Sequence, residues 1–456
     1  MWPDGTLVGP QVALLQTAMA HWDMTRARAA FTDFVVRSPQ HRFVVALSGG
    51  LDSRTLLHVA ASLRHELGFD LRAIHVDHGL HPDSARWAEC CRDWCAALAI
   101  PIDVVRVRVE RIAELGLEAA ARAARHAAFA ERLGEDEVLL AAHHRDDQAE
   151  TFLLRALRSP GYDGLAGMRP LRRFARGWLA RPWLDVARSA IRAEAEAAGL
   201  DWIDDPSNAD IALDRNFLRH EILPRLAQRW PQAVTALATS AERAADLLAL
   251  AEPEVQRLLA HHRDLDPAVL DTRVLDLADG SAFAVIKAWL RDLGLPNPPP
   301  SALREMHRQM RDARADRVPE VRWPGGVMYR YRDRLHAGAP MASVPLLEQA
   351  WSSDAALVLP DARMLPALPG LFDAPLRIAP RRGGEKIRLH ANASRRPVRL
   401  LLQEYGVPPW RRDALPYLWQ GETLIAVGDL FLDAGFSARL REAGRVWRIE
   451  TPARSG

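Results

Sequence analysis

From Phe43 onward, short apolar runs alternate with longer stretches of helical spacing. Phe43 to Leu47, Leu71 to Val76, Ile102 to Val107 and Glu137 to Ala142 are near-continuous apolar runs of strand length. That pattern belongs to strands buried on both faces. Between them, Arg54 to Glu66, Ser84 to Leu98 and Glu118 to Leu133 carry helix-forming residues at helical spacing. Strand and helix in alternation predict βαβ units, a parallel sheet and a ligand site beyond the C-terminal strand ends. Residues 1 to about 40 read as a helical lead-in. Past residue 225 the alternation stops. Ala227 to Ala315 keeps helical spacing with one stiff break at Pro296-Asn-Pro-Pro-Pro300, and from Val344 short strand-like runs return, as in Leu424 to Val427 and Val446 to Ile449. The expected architecture is α/β: a parallel-sheet domain over 1–225, a small helical domain over 226–343 and a small α+β domain over 344–456.

With 48% hydrophobic and 26% charged residues, the chain has the balance of a globular protein with ample core material. No uncharged apolar run approaches the 18 residues of a membrane span. Met1-Trp-Pro-Asp4 lacks the basic start and apolar stretch of a secretory signal. Cys90, Cys91 and Cys95 fall within six residues of one another, which suits a reducing compartment and not a disulfide framework. The expected location is the cytoplasm, with no membrane partner. Net charge is +2, but residues 381–456 carry fourteen Arg or Lys against eight Asp or Glu. A basic end of that kind fits a polyanionic partner.

The strongest local signal is Ser48-Gly-Gly-Leu-Asp-Ser53, placed directly between a predicted strand and a predicted helix. Gly49 and Gly50 permit a sharp turn and close approach of the backbone to a ligand. Ser48 and Ser53 offer hydroxyls, and the amides of Leu51 and the residues after it point from a helix N-terminus, so the segment makes an anion cradle. No Gly-Lys-Ser/Thr follows, which excludes the Walker loop. Asp52 in an anion site calls for a cation, and Mg²⁺ bridging to phosphate is the simple choice. The second strand ends in His75-Val-Asp-His-Gly-Leu-His81, placing Asp77 at the ligand edge, where a hydrogen-bonding role beside a nucleotide is the plain reading. The fourth strand leads into Ala141-Ala-His-His-Arg-Asp-Asp-Gln-Ala-Glu-Thr151, whose Asp146, Asp147 and Glu150 share one helical face.

The SGGxDS loop resembles that of the PP-loop ATP pyrophosphatases, adenine nucleotide alpha hydrolase-like proteins that split ATP between its α and β phosphates. Within that group the order of motifs resembles the tRNA(Ile)-lysidine synthase family. Those motifs are His75 to Leu80, Glu118 to Arg122, Ala142 to Thr151, Asp163 to Met168, Arg181 to Leu184, Trp202 to Asn208 and Arg215 to His220. Strong resemblance covers about residues 43–225. Later segments, Trp323 to Gly326 and Leu401 to Arg411, are similar too. Two departures stand out: Ser159-Pro-Gly-Tyr162 replaces a usual Gly-Ser-Gly, and Arg125-His126 replaces Arg-Tyr.

The resemblance implies that ATP with Mg²⁺ adenylates the wobble cytidine of a CAU-anticodon isoleucine tRNA, and that free L-lysine then displaces AMP. It implies Asp52, His143, Asp147 and Glu150 as catalytic residues. Asp52 and Asp147 are the implied magnesium ligands, and His143, His144, Asp147 and Glu150 the candidates for the base. Arg122, Arg125, Trp202, Asp205, Asn208, Arg215, Asn216 and Arg219 become contacts to tRNA or lysine, and Pro409 to Arg412 a grip on tRNA phosphates. A homodimer is the candidate assembly. The rivals are a PP-loop tRNA thiolase, which would use the cysteines, and a non-catalytic tRNA-binding protein on the same scaffold.

Overall fold

A computed structural model of the chain describes residues 25–110, 112–158, 162–314, 317–340 and 346–450. The first 24 residues of the lead-in, the departure at Ser159 to Gly161 and the expected boundary at Val344 lie outside the described residues. The chain divides into two compact units, 1–254 and 255–456.

The first unit is built on a six-stranded sheet in the order β3-β2-β1-β4-β6-β5. Its strands are β1 (Arg42–Ala46), β2 (Asp70–Asp77), β3 (Ile102–Arg106), β4 (Glu137–Leu140), β5 (Leu171–Phe174) and β6 (Gly177–Ala180). All neighbours pair in parallel except the edge strand β5, which is antiparallel to β6. The four strands read from the apolar runs are β1 to β4. The hairpin β5–β6 adds two that were not foreseen. Helices α1 (Arg26–Arg37), α2 (Leu51–Leu67), α3 (Ser84–Ala97), α4 (Leu117–Arg132), α5 (Arg145–Leu157) and α6 (Arg188–Ala197) connect and cover the sheet. Phe43, Leu56, Leu57 and Ile74 are fully enclosed, each contributing about 1.5–3 kcal/mol by leaving water. The strand order reverses beside β1, between β2 and β4, so the loops after β1 and β4 open a crevice at the C-terminal edge of the sheet.

The second unit departs from the expected helical middle region. Helices Asp279–Asp292 and Pro300–Asp312 are present, but they pack with a four-stranded antiparallel sheet of β7 (Val269–Asp271), β8 (Glu320–Trp323), β9 (Gly326–Tyr331) and β10 (Arg334–Gly338). Beyond it lies a five-stranded sheet that includes Leu376–Ala379, Tyr417–Gln420 and Thr423–Val427. The expected strand at Val446 to Ile449 is absent. That segment is irregular, with Trp447 buried and its indole N–H donating to the Gly428 carbonyl.

Pro409 to Arg412 does not present a free grip on phosphate. Trp410 stacks on Tyr329 with ring centroids 4.2 Å apart, and buried Arg412 donates to the Val407 carbonyl and the Tyr331 hydroxyl. Arg411 stands 3.6 Å from Asp266. An aromatic and its neighbouring guanidinium are spent on packing the two sheets' surroundings together.

Candidate active site

Ser48 to Ser53 closes β1 and opens α2 as expected. Gly49 has φ +89, and a Cβ there would come 2.5 Å from Ile203 Cδ1. Its carbonyl accepts from the Ile203 amide at 3.0 Å, so the segment around Trp202 is docked onto the loop through a position only glycine fits. Ser53 serves mainly the loop itself. Its hydroxyl donates to the Gly50 carbonyl, accepts the Ser48 amide at 3.1 Å and lies 2.9 Å from the Ser48 hydroxyl. Ser48 is exposed, whereas the Leu51 side chain belongs to the core, leaving only its amide to face a ligand. The first amides of α2 have no partner within the helix.

Ser48 and Gly50 to Ser53 line a cleft of about 690 Å³ together with Asp77, Arg122, Arg125, His143, Asp147, Trp202, Asp205, Asn208 and Arg219. Sequence-distant motifs thus meet in one space. Asp77 accepts from the Gly79 amide at 2.8 Å, which fixes its turn. Beneath the loop, His75 Nδ1 lies 2.8 Å from the Leu47 carbonyl and 3.4 Å from Cys91 Sγ.

The segment leading into α5 holds the densest electrostatics. His144 caps the helix by accepting the Asp147 amide at Nδ1, and Asp147 Oδ2 accepts the His144 amide at 3.0 Å. His144 Nε2 faces Asp52 at 3.6 Å and Asp147 at 3.4 Å. Burial works against its charged form, but the Asp52, Asp147 and Asp146 carboxylates together raise its pKa. Burial by itself would lift Asp147. His144, Arg215, His143 and Arg219 overcome that and hold it down at about 2.

Glu150 is wholly buried, and both its oxygens accept from guanidinium groups: Arg215 at 2.7 Å on one, Arg219 at 2.7 Å on the other. The same two arginines donate to Asp147 Oδ1 at 2.7 and 3.1 Å. Arg215 and Arg219, expected as contacts to tRNA or lysine, thus spend donors on these two carboxylates, while Arg219 still lines the cleft. A carboxylate so clamped positions its neighbours, with both oxygens already committed to guanidinium groups. Asn216 is likewise a brace, buried and donating to the Ser207 and Asp210 carbonyls. Trp202 packs against the core with Arg192 over its ring at 5.7 Å, and Asp205 caps its own turn by accepting from the Ser207 amide. Asn208 remains exposed on the cleft wall.

A magnesium ion was expected on Asp52 and Asp147. Asp52 Oδ1 is buried without a hydrogen-bond partner, 3.7 Å from an equally unpartnered Arg188 Nε. An orphaned carboxylate oxygen beside an anion cradle fits a cation completed by substrate phosphates and water. Asp147 fits poorly as a second ligand, because two guanidinium groups and a backbone amide already use its oxygens. Among the described residues no group of three His, Cys, Asp or Glu side chains could hold a metal unaided. Arg188, which no motif singled out, is the residue that sequence reasoning missed. Only its position at the start of α6, facing Asp52, reveals it.

One end of the cleft is strongly positive. His143 accepts from Arg181 Nε at 3.2 Å. Burial first, with Arg181, Arg215 and Arg122 adding to it against Asp147, pushes His143 down to about 3. His126 falls to about 4 through burial and through Arg122, Arg125, Arg172 and Arg181. A folded imidazole held neutral takes up fewer protons than the unfolded one. Its stabilising effect is therefore full above the unfolded pKa of 6.5 and declines as pH falls towards the folded value. At pH 5 His143 alone should cost about 2 kcal/mol, lowering Tm by about 4–8 °C relative to pH 7. Asp147 adds nothing over that range, since its contribution is lost only below its unfolded value of 3.8. Calorimetry of wild type and His143→Gln at both pH values checks this. An unchanged difference in the variant would mean that His143 is not the source.

The three cysteines lie on α3 and are free. Burial chiefly pushes the Cys91 thiol up to about 12 and Cys95 up to about 11. Thiols held protonated are poor sulfur carriers.

A nucleotide loop between strand and helix, at the reversal of a mostly parallel sheet, defines the class: a PP-loop domain family matches residues 24–226. Two further family matches, a TilS substrate binding domain over 273–336 and a TilS substrate C-terminal domain over 376–450, cover much of the second unit. The tRNA(Ile)-lysidine synthase of Xanthomonas campestris pv. campestris (strain 8004) is 43% identical over 91% of this chain and 97% of its own. That of Alkalilimnicola ehrlichii is 41% identical over 89% and 93%. Among solved structures, the U34-tRNA thiolase NcsA from Methanococcus maripaludis matches 52% of this chain and 80% of its own at 14% identity, with a TM-score of 0.40 that carries no argument about activity. The chain belongs to the tRNA(Ile)-lysidine synthase family, ATP-dependent ligases built on the PP-loop domain.

Proposed function

We propose that this enzyme joins free L-lysine to C2 of the wobble cytidine in a CAU-anticodon isoleucine tRNA, in two steps within the cleft. The observation that carries the reading is the meeting of the anion cradle and its orphaned Asp52 oxygen with His143 and Asp147 in one cavity. In the first step the cytidine O2 attacks the α-phosphorus of ATP and pyrophosphate leaves. The Gly49 to Ser53 backbone would hold the phosphates, Asp52 would hold Mg²⁺, and Arg188 would meet a phosphate oxygen. Magnesium, when bound, offsets the charge developing on the phosphates.

In the second step the lysine ε-amine attacks C2 and AMP leaves with the C2–O2 bond electrons. An amine of pKa ≈ 10.4 is neutral in only about four parts in ten thousand at pH 7, so a group in the cleft must take its proton. With Glu150 and Asp147 both held by Arg215 and Arg219 and His144 capping α5, His143 is left for that task. Arg122 and Arg125, on the positive wall, suit the substrate's anionic groups. Free cysteines and a tRNA substrate support the cytoplasmic setting.

The test is incorporation of radiolabelled lysine into an unmodified CAU-anticodon isoleucine transcript with ATP and Mg²⁺. Retained label, dependent on both, is the expected result. Pyrophosphate release without label would keep adenylation and assign a different nucleophile.

A further inference from the structure

We propose that the β5–β6 hairpin is the surface on which the RNA backbone docks beside the cleft. The inference rests on the reading above that an RNA base enters that cleft. Residues 164 to 184 contain five arginines and no acidic residue. Arg169, Arg173 and Arg176 are exposed, and Arg172 is partly so. None of the four has a carboxylate partner among the described residues. Arg173 instead lies over the Trp178 ring at 4.2 Å and Arg172 over Phe174 at 5.2 Å. Stacking of this kind holds a guanidinium plane in place and leaves its N–H edge for an acceptor.

The hairpin is continuous with the chemistry. Phe174, Leu179 and Arg181 line the cleft, and Arg181 joins His143 to the Arg169 carbonyl at 2.7 Å. A charged edge strand also discourages pairing with another sheet, but mixed signs would do that equally well. A single sign on an edge that borders the site asks for a polyanion. The opposite composition marks the first of the two segments expected to contact RNA, Trp202 to Asn208: residues 201 to 214 around it hold five aspartates and no Arg or Lys. Phosphates are repelled there and attracted at the hairpin. Phosphate contacts set register without reading sequence, which is what a base delivered to a fixed cleft requires.

The experiment compares wild type with Arg169→Ala/Arg176→Ala and with Arg173→Glu, reading tRNA KM against kcat and direct tRNA binding across salt concentrations. Thermal melts confirm that each variant is folded. The expected result for the double variant is a KM at least tenfold higher. The slope of log K against log salt should be shallower by about 1.5, roughly 0.7–0.9 per lost phosphate contact. The penalty should persist with an isolated anticodon stem-loop, because the contacts lie beside the reacting base. An unchanged KM and salt slope in folded variants would overturn the proposal, as would a penalty seen with whole tRNA and absent with the stem-loop. If wild type binds tRNA but adds no lysine, the binding and salt measurements still decide the hairpin's role while the proposed reaction fails.

Discussion

Replacing Asp52 by Asn is expected to lower both pyrophosphate release and lysine incorporation by 10²- to 10⁴-fold, about 2.7–5.4 kcal/mol of lost transition-state stabilisation, with Tm within about 1 °C of wild type. The two halves of this expectation share one cause. Asp52 Oδ1 has no hydrogen-bond partner, with Arg188 Nε 3.7 Å away, while His144 Nε2 stands 3.6 Å from the other oxygen, Oδ2. The folded protein gains from the carboxylate mainly through His144, and the unpartnered oxygen is the feature that a cation would complete. Measured over a magnesium titration, the variant should show a much weaker dependence on the metal. Activity above a tenth of wild type with normal magnesium dependence would remove Asp52 from the metal.

The second large effect falls on stability. Glu150→Ala leaves the part-buried Arg215 and Arg219 sharing Asp147 alone. Removing one member of a buried charge network costs about 3–5 kcal/mol, because the partners stay buried without compensation. For a unit of this size that corresponds to roughly 6–20 °C in Tm. Glu150→Gln keeps the shape and one acceptor and should fall between. Activity should drop with both, since the same arginines fix the Asp147 carboxylate in the cleft. A Glu150→Ala protein melting within 2 °C of wild type would show that the network does not hold the site together.

The contrast between these residues shows what is legible in a sequence. Asp52 sits in a six-residue loop whose strand, turn and helix are neighbours in the chain, so its chemistry can be read locally. Glu150 looked like a candidate base because its partners are 65 and 69 residues away. Likewise, Trp410 and Arg412 looked like an RNA grip until Tyr329 and Tyr331 were found against them. The β5–β6 hairpin escaped notice because Leu-Arg-Arg-Phe and Gly-Trp-Leu-Ala are too short and mixed to show a period. The middle sheet was hidden by the helical composition around it.

By itself, the sequence determined the parallel core strands β1 to β4, the helices between them and the anion-binding turn after β1. Each of these follows from burial pattern and backbone chemistry over a few neighbouring residues. Only the tertiary structure decided which charges pair with one another, which arginines remain for a polyanion and which carboxylate oxygen stays without a partner. Those outcomes depend on groups brought together from distant parts of the chain, where distance and burial, and not residue type, set the strength of an interaction.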